Sequence, residues 1–207
     1  TPFAPPMAAD TTTADATTDA GTRSASGVAT GIVAPAEPLP ILLVPDPRLR
    51  ARARPVGPAE ADEVRALAPR MLASMYAAPG IGLAAPQVGV GLRVFVMDLQ
   101  KDDARAPMVL VNPEIVAASA ELVTREEGCL SLPGQYADVT RPARVRLRYQ
   151  DLAGARCELD AEGLLATCVQ HELDHLDGVL FVDRLSALKR NMLLRKLAKE
   201  LKARARD

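Results

Sequence analysis

The chain has 207 residues, of which 25% are charged, but its formal net charge is only −1. This balance argues against a protein that coats DNA through its global electrostatic field. No apolar run approaches the ~18 residues of a membrane-spanning helix, and the first residues lack the pattern of a secretory signal. The three cysteines form an odd, sparse set that suits reduced thiols in the cytoplasm better than a disulfide framework.

Residues 1–38 differ from the rest in composition. They are mostly Ala, Thr, Ser, Gly and Asp, so they bury too little apolar surface to offset the entropy of ordering. We predict a disordered low-complexity extension in which Met7 is an alternative start residue. A transit peptide is the alternative, which three early aspartates and a single arginine disfavour.

Residues 39–207 are predicted to form one compact domain. Apolar periodicity predicts a helix over 59–77, kinked or split at Pro69. Further helices are predicted over 164–176 and from about 186 to 204. Strands grouped between these helices indicate an α+β fold rather than a βαβ repeat.

The region from residue 93 to residue 160 has the pattern of strands. One segment alternates a buried face of Val145, Leu147 and Tyr149 with three arginines. Proline and glycine are predicted to interrupt the strands at Pro113, Pro133-Gly134, Pro142 and Gly154.

The segment Gln170-His171-Glu172-Leu173-Asp174-His175 carries both histidines of the chain. Positions i and i+4 of a helix share one face, so His171 and His175 can bind one metal ion. Glu172 is adjacent in sequence and can reach a water molecule there, as in the H-E-x-x-H arrangement of metal hydrolases. The alternative is a helix that carries two histidines by chance.

The third ligand must come from elsewhere in the chain. A metzincin is excluded because Phe181 stands where its last histidine would be. A gluzincin would need a downstream glutamate, and the one present, Glu200, lies in a basic segment. Three aspartates crowd the same helix or its exit, namely Asp174, Asp177 and Asp183. A thiolate is the most suitable remaining ligand, and Cys129 in Glu127-Gly128-Cys129-Leu130-Ser131 is the candidate.

Cys168, three residues before His171, has two interpretations. It is either the fourth ligand of a closed structural site or part of a pocket wall. We favour the wall, because a closed site leaves Glu172 without a role. Cys157 is interpreted as a small buried apolar residue.

The segment Gly80-Ile81-Gly82-Leu83-Ala84-Ala85-Pro86-Gln87 is rich in small residues. Such a segment lets two backbones approach, so a substrate strand can pair with its edge. Gln87 offers an amide donor for a developing oxyanion. The segment lacks the Lys-Ser/Thr of a phosphate-binding loop, which disfavours nucleotides.

In this order, the segments 80–87, 127–131 and 170–175 resemble the pattern of the peptide deformylase family over roughly residues 39–207. The leucine at position 130, directly after the motif cysteine, resembles the residue that the bacterial branch of the family carries there. The resemblance implies antiparallel strands around a central metal-binding helix, with a helix at the C-terminus. It implies hydrolysis of the N-formyl group from the N-terminal methionine of new polypeptides. It also implies a divalent metal ion, Fe²⁺ in the native bacterial enzymes, with Zn²⁺ or Ni²⁺ able to occupy the site.

The same resemblance implies a role for individual residues. The implied metal ligands are Cys129, His171 and His175, and the implied acid/base is Glu172. The implied oxyanion donors are Gln87 and the backbone N–H of Leu130. The implied substrate-binding residues are Ile81, Gly82 and Gly128 along the backbone, and Leu164, Thr167 and Cys168 in the methionine pocket. Tyr136 and Thr167 depart from the family pattern, which leaves sequence preference beyond formylmethionine open.

Two other functions stay open at this stage. One is a metallopeptidase that acts on internal peptide bonds. The other is a non-catalytic ribosome-binding module with a structural metal. Residues 186–207 carry a net charge of +6 and an apolar stripe of Leu188, Met192 and Leu201. They are predicted either to contact the ribosome or to pack on the surface as an ordinary solvated helix.

Overall fold

The computed structural model describes residues 36–205, so all but the last three residues of the predicted disordered extension, 1–38, lie outside the described residues. In the part described, no helix is long and apolar enough to cross a membrane. The helices are α1 (Ala61–Ala77), α2 (Gly163–Leu176) and α3 (Ala187–Arg204). The strands are β1 (Gly82–Ala84), β2 (Val94–Met97), β3 (Met108–Ala118), β4 (Leu122–Cys129), β5 (Leu132–Pro142), β6 (Arg144–Gln150) and β7 (Arg156–Glu162).

The strands form two antiparallel sheets. Five strands follow the order β1-β2-β3-β6-β7, and β4 pairs with β5 as a separate hairpin. The register places Leu83 opposite Val96 and Val96 opposite Val109. Strand β1 lies at one edge of the larger sheet and carries part of the glycine-rich segment. The α+β prediction is therefore confirmed.

Strand β2 is buried on both faces, which explains its continuous apolar sequence. Phe95 and Met97 belong to the core cluster that includes α2, whereas Val94 and Val96 belong to the cluster that includes α1. Successive side chains of a strand point to opposite faces. Helices α1 and α2 therefore pack on opposite sides of β2, and α2 lies in the interior.

The predicted helices are found within two residues of their bounds. Pro142 ends β5 and Gly154 lies between β6 and β7, as predicted, whereas Pro69, Pro113 and Pro133-Gly134 do not interrupt their elements. Helix α1 runs unbroken through Pro69. Strand β3 continues through Pro113, where the β3–β6 register shifts between Val111 and Glu114. Strand β5 contains Pro133 and Gly134. Strands tolerate proline where the ladder is irregular or unpaired, so these residues lie within strands without ending them.

Strand β6 shows the predicted alternation. Val145, Leu147 and Tyr149 are buried. The arginines between them face solvent and pair across the ladder with β7: Arg146 with Asp160, and Arg148 with Glu158.

Helix α3 packs through a different stripe from the one predicted. Leu188 and Met192 are 73% and 62% exposed. The side chains that contact the hairpin and the segment after α2 are Leu193, Leu194, Leu197 and Leu201. Of the predicted stripe, only Leu201 faces the protein, because the neighbouring hairpin decides which side of the helix is buried.

A buried ion-pair network joins the β4–β5 hairpin to α2. Arg141 on β5 donates to both carboxylate oxygens of Glu127 on β4, at 2.5 and 2.9 Å. Its remaining terminal nitrogen donates to Asp174 on α2 at 2.9 Å. The side chains of Arg141 and Glu127 are 2% and 3% exposed. Asp174 also accepts two hydrogen bonds from Arg184, so every charge in the network has a partner.

Arg141→Met is predicted to destabilise the protein by about 3–5 kcal/mol, because it leaves buried carboxylate charge without its partner. Chemical denaturation monitored by circular dichroism measures this loss. The matched control is Arg148→Met on β6, which removes an exposed pair with Glu158 on β7 and should change stability by less than about 1 kcal/mol. Equal losses in the two variants would contradict the role given to the buried network.

Candidate metal centre

Three donor atoms from two elements converge between the hairpin and α2. Cys129 is the last residue of β4, and His171 and His175 lie one turn apart on α2. Their Sγ and ring nitrogen atoms all lie within 4.8 Å of one another. The two Nε2 atoms are 3.2 Å apart, and His175 Nε2 is 3.2 Å from Cys129 Sγ. The structure therefore brings together the three predicted ligands.

The chemistry of this donor set fits a transition-metal ion. A thiolate and two imidazoles are ligands that zinc and ferrous iron accept, and three protein ligands leave a position for water or substrate. Burial, with the charges of His171 and Arg141, lowers the pKa of His175 well below its ordinary value. That lowered pKa favours the neutral imidazole, which is the form that binds a metal ion.

Glu127 fixes the orientation of the His171 ring by contacting its Nδ1 atom, the ring nitrogen that does not face His175. Its Oε2 lies 3.0 Å from His171 Nδ1, so the ring donates there and directs Nε2 towards the donor cluster. Burial alone would raise the pKa of Glu127, but the hydrogen bonds from Arg141 and His171 outweigh it and lower that pKa to about 2. Burial also acts to lower the pKa of His171, yet its interactions with Cys129 and Glu127 raise it overall.

Glu172 is buried beside the cluster without a partner. It is 4% exposed, and among the described residues its Oε2 has no hydrogen-bond partner. Burial raises its pKa to about 7. An added Cβ at Gly82 would clash with Glu172 Oε1 and lie 2.9 Å from its Cδ, so a side chain here would displace the carboxylate. An unpartnered buried carboxylate is unfavourable unless a ligand or solvent completes it.

Gln87 lies beside the cluster in a short 3₁₀ helix after β1, Ala85–Val88. Its Oε1 accepts from the N–H of Ala84 at 2.9 Å, which fixes the direction of the amide. Its Nε2 donates to Ser131 Oγ at 3.1 Å and lies 3.6 Å from Cys129 Sγ. Leu130 follows Cys129 directly, so its backbone N–H is next to the same cluster.

A cavity of about 490 Å³ opens onto the cluster, within the usual size for a small-ligand pocket. Its walls come from the β1 edge on one side and from the hairpin and α2 on the others. Its lining includes all the predicted substrate-binding residues: Ile81, Gly82, Gly128, Leu164, Thr167 and Cys168. Tyr136 is 61% exposed at the rim, where its ring covers Gly128.

Cys168 does not belong to the donor group. Its Sγ points to the carbonyl of Ile81 at 3.7 Å, in the wall of the cavity. Burial raises the pKa of its thiol well above the ordinary value, so the thiol stays protonated. This placement agrees with the wall and not with a fourth ligand.

Sequence reasoning missed the network behind the ligands. Glu127 stood inside a recognised segment, and its spacing of two from Cys129 would have placed both on one face of a strand. Asp174 is at i+3 from His171 on α2. Arg141 gave no local signal, because its partners lie 14 and 33 positions away in the chain.

Comparisons with known proteins agree with this geometry. A family model described as polypeptide deformylase matches residues 38–191. The chain is 54% identical over 172 residues to a peptide deformylase of Methylocella silvestris, covering 81% of this chain and 87% of that protein. It is 57% identical over 161 residues to one from Alkalilimnicola ehrlichii, covering 78% and 89%.

Solved structures give the same result. A peptide deformylase from Legionella pneumophila superposes with a TM-score of 0.76 and 46% identity, covering 82% of this chain and 99% of that one. One from Synechococcus elongatus, in complex with actinonin, has a TM-score of 0.73 and 46% identity, covering 79% and 92%. The chain belongs to the peptide deformylase family, metal-dependent enzymes that remove the formyl group from the N-terminal methionine of nascent polypeptides.

Proposed function

We propose that Cys129, His171 and His175 hold the catalytic metal ion and that Glu172 carries the proton in deformylation. The convergence of three donors within 4.8 Å, beside a buried carboxylate without a partner, is the observation that supports this assignment most strongly. The alternative carboxylate, Asp174, is held by Arg141 and Arg184, so it is poorly placed to exchange protons.

A divalent ion held by Cys129, His171 and His175 would lower the pKa of a water molecule towards about 7 and would polarise the formyl carbonyl. Glu172 accepts a proton from the attacking water and delivers it to the amine nitrogen as the C–N bond breaks. Gln87 Nε2 and the Leu130 N–H donate to the carbonyl oxygen as it gains negative charge, an effect typically worth about 3–4 kcal/mol per donor. Formate and a free N-terminal methionine are released.

The cavity supplies the substrate path in this proposal. An extended peptide would run between the β1 edge and the hairpin, with its backbone along Ile81, Gly82 and Gly128. The methionine side chain would enter the part lined by Leu164, Thr167 and Cys168. Gly82 has to lack a side chain here, because a Cβ would take the space between the substrate backbone and Glu172.

Substrate comparison tests the reaction directly. The chain should release formate from a formyl-Met tripeptide and should leave the same tripeptide without formyl uncleaved. A metallopeptidase would instead hydrolyse an internal bond of the unformylated peptide. A non-catalytic module would do neither and would show four protein ligands around its metal.

Glu172→Gln should lower turnover by roughly 10²–10⁴-fold while the metal stays bound. Glutamine keeps the shape of glutamate but cannot accept and return the proton, and all three proposed ligands remain. Cys129→Ala should lose metal together with activity, because it removes a ligand and the negative charge that balances the ion. Metal analysis and formate release measure both variants.

The opposite pattern would contradict the assignment. If Glu172→Gln lost its metal while Cys129→Ala kept it, the ligand and acid/base roles would both be wrong. If Glu172→Gln kept near-normal turnover, the proton carrier would be another group, and Asp174→Asn would be the next variant to measure.

We propose Fe²⁺ as the native metal, with Zn²⁺ and Ni²⁺ as ions that the same ligands accept. A thiolate beside a redox-active ion with an open position is sensitive to oxidation of both metal and sulfur. Protein purified without oxygen should contain iron and should lose activity in air. Full zinc occupancy with high, air-stable activity would contradict this proposal.

We also propose that α3 brings the enzyme close to nascent chains by contacting ribosomal RNA. Its exposed face carries several cations, whereas its apolar face is occupied by the hairpin. Basic helices are attracted to nucleic-acid phosphates, and the attraction falls with salt.

The proposed domain organisation has residues 39–207 as the catalytic domain and residues 1–38 as an extension. The proposed site of the reaction is the cytoplasm.

Charge reversal tests the proposed ribosome contact better than truncation, because truncation after Ser186 would also remove Leu197 from the core. The variant Lys189→Glu, Arg195→Glu, Lys199→Glu should co-sediment less with ribosomes at low salt. The control reverses three exposed cations elsewhere, namely Arg52, Lys101 and Arg156. Unchanged binding of the α3 variant, or equal losses in both, would remove the proposal.

A further inference from the structure

One wall of the substrate cavity consists of Gly80, Ile81 and Gly82. This wall approaches the hairpin closely, because a Cβ at Gly80 would lie 2.7 Å from Leu130 Cδ1. A small displacement of the wall would therefore change the width of the cavity. What holds the wall from behind is the loop of residues 98–107, which connects β2 to β3 and does not line the cavity.

The loop holds two successive carbonyls of the wall. The Asp98 N–H donates to the Ile81 carbonyl at 2.9 Å, which continues the β1–β2 ladder one residue beyond Gly82 and Met97. Gln100 Nε2 donates to the Gly80 carbonyl at 3.3 Å. The position of the wall thus depends on the conformation of residues 98 and 100.

The carboxylate of Asp98 organises this loop. It is 1% exposed, and it accepts from the backbone N–H groups of Gln100 at 2.9 Å and of Ala106 at 3.2 Å. The hydroxyl of Tyr76 on α1 donates a hydrogen bond to Oδ2 of the same carboxylate at 2.5 Å. The guanidinium of Arg105 lies over the Tyr76 ring, 4.3 Å from the ring centroid. Asp98 therefore ties both ends of the loop to α1.

Gln100 has a backbone conformation that depends on this support. Its φ of +50° lies in the left-handed region, which is unfavourable for a residue with a side chain. An aspartate that accepts the N–H two residues later stabilises such a turn. This turn directs the Gln100 side-chain amide back to the Gly80 carbonyl. Strain that surrounding groups maintain is a signature of functional sites.

We propose that Asp98 is a positioning residue for deformylation, acting through Gln100 and through its own backbone on the Gly80–Gly82 wall. The proposal rests on the proposed function, in which this wall lines the path of the substrate backbone. Asp98 touches neither the proposed ligands nor Glu172. Its loss should therefore weaken substrate binding and leave the chemical step and the metal content largely unchanged.

Steady-state kinetics with a formyl-Met tripeptide test the proposal. Gln100→Ala should raise KM by about three- to tenfold, the effect of losing one positioning hydrogen bond, with kcat within about twofold of wild type. Gln100 is exposed, so this variant should fold normally. Asp98→Ala should raise KM further, and Asp98→Asn, which keeps one acceptor oxygen for the loop N–H groups, should recover most of the loss.

Asp151→Ala is the matched control. Asp151 also accepts two loop N–H groups, those of Ala153 and Ala155, each at 2.9 Å, but it lies in the β6–β7 turn outside the cavity. The KM of the Asp151→Ala variant should equal that of wild type. The proposal is overturned if Gln100→Ala and the Asp98 variants keep the wild-type KM, or if they lose kcat and metal at unchanged KM. Absence of formate release by the wild-type chain would overturn the proposed function, and this proposal with it.

Discussion

The buried ion pair between Glu127 and Arg141 is the interaction on which the site depends. The two residues lie on different strands of the hairpin, and each also bonds to α2, Glu127 through His171 and Arg141 through Asp174. Either charge alone would be strongly unfavourable at this depth, because burial removes the water that would solvate it. The pair therefore holds the hairpin on α2 in one arrangement and orients a histidine of the donor cluster at the same time.

This arrangement matters because the donors come from two separate units. Cys129 belongs to the hairpin and both histidines belong to α2, so the cluster exists only while the two are docked. Helix α2 is itself fixed by the larger sheet, since β2 is covered by α1 on one face and by α2 on the other. An ion that binds all three donors at once requires the docked chain, and its binding energy would add to the stability of the docked state.

Local pattern was enough to predict the helices, the alternation of β6 and the shared face of His171 and His175. It failed where a distant neighbour decides the outcome. Helix α3 offered more than one apolar stripe, and the hairpin selected the one with Leu197. Pro113 sits within a strand because the ladder shifts register there. Arg141 has partners far away in the chain, so no short segment could reveal its burial.

The carboxylates around the donor cluster differ in whether they have a partner, and the roles proposed for them follow this difference. Arg141 directs two nitrogens to Glu127 and the third to Asp174, and Arg184 completes Asp174. No donor of this network is left for Glu172, although it lies on the same helix as Asp174. A protein normally pairs or neutralises a carboxylate buried to this extent. Keeping Glu172 unpaired is unfavourable for stability, and it leaves that carboxylate free for the proton-carrying role proposed for it.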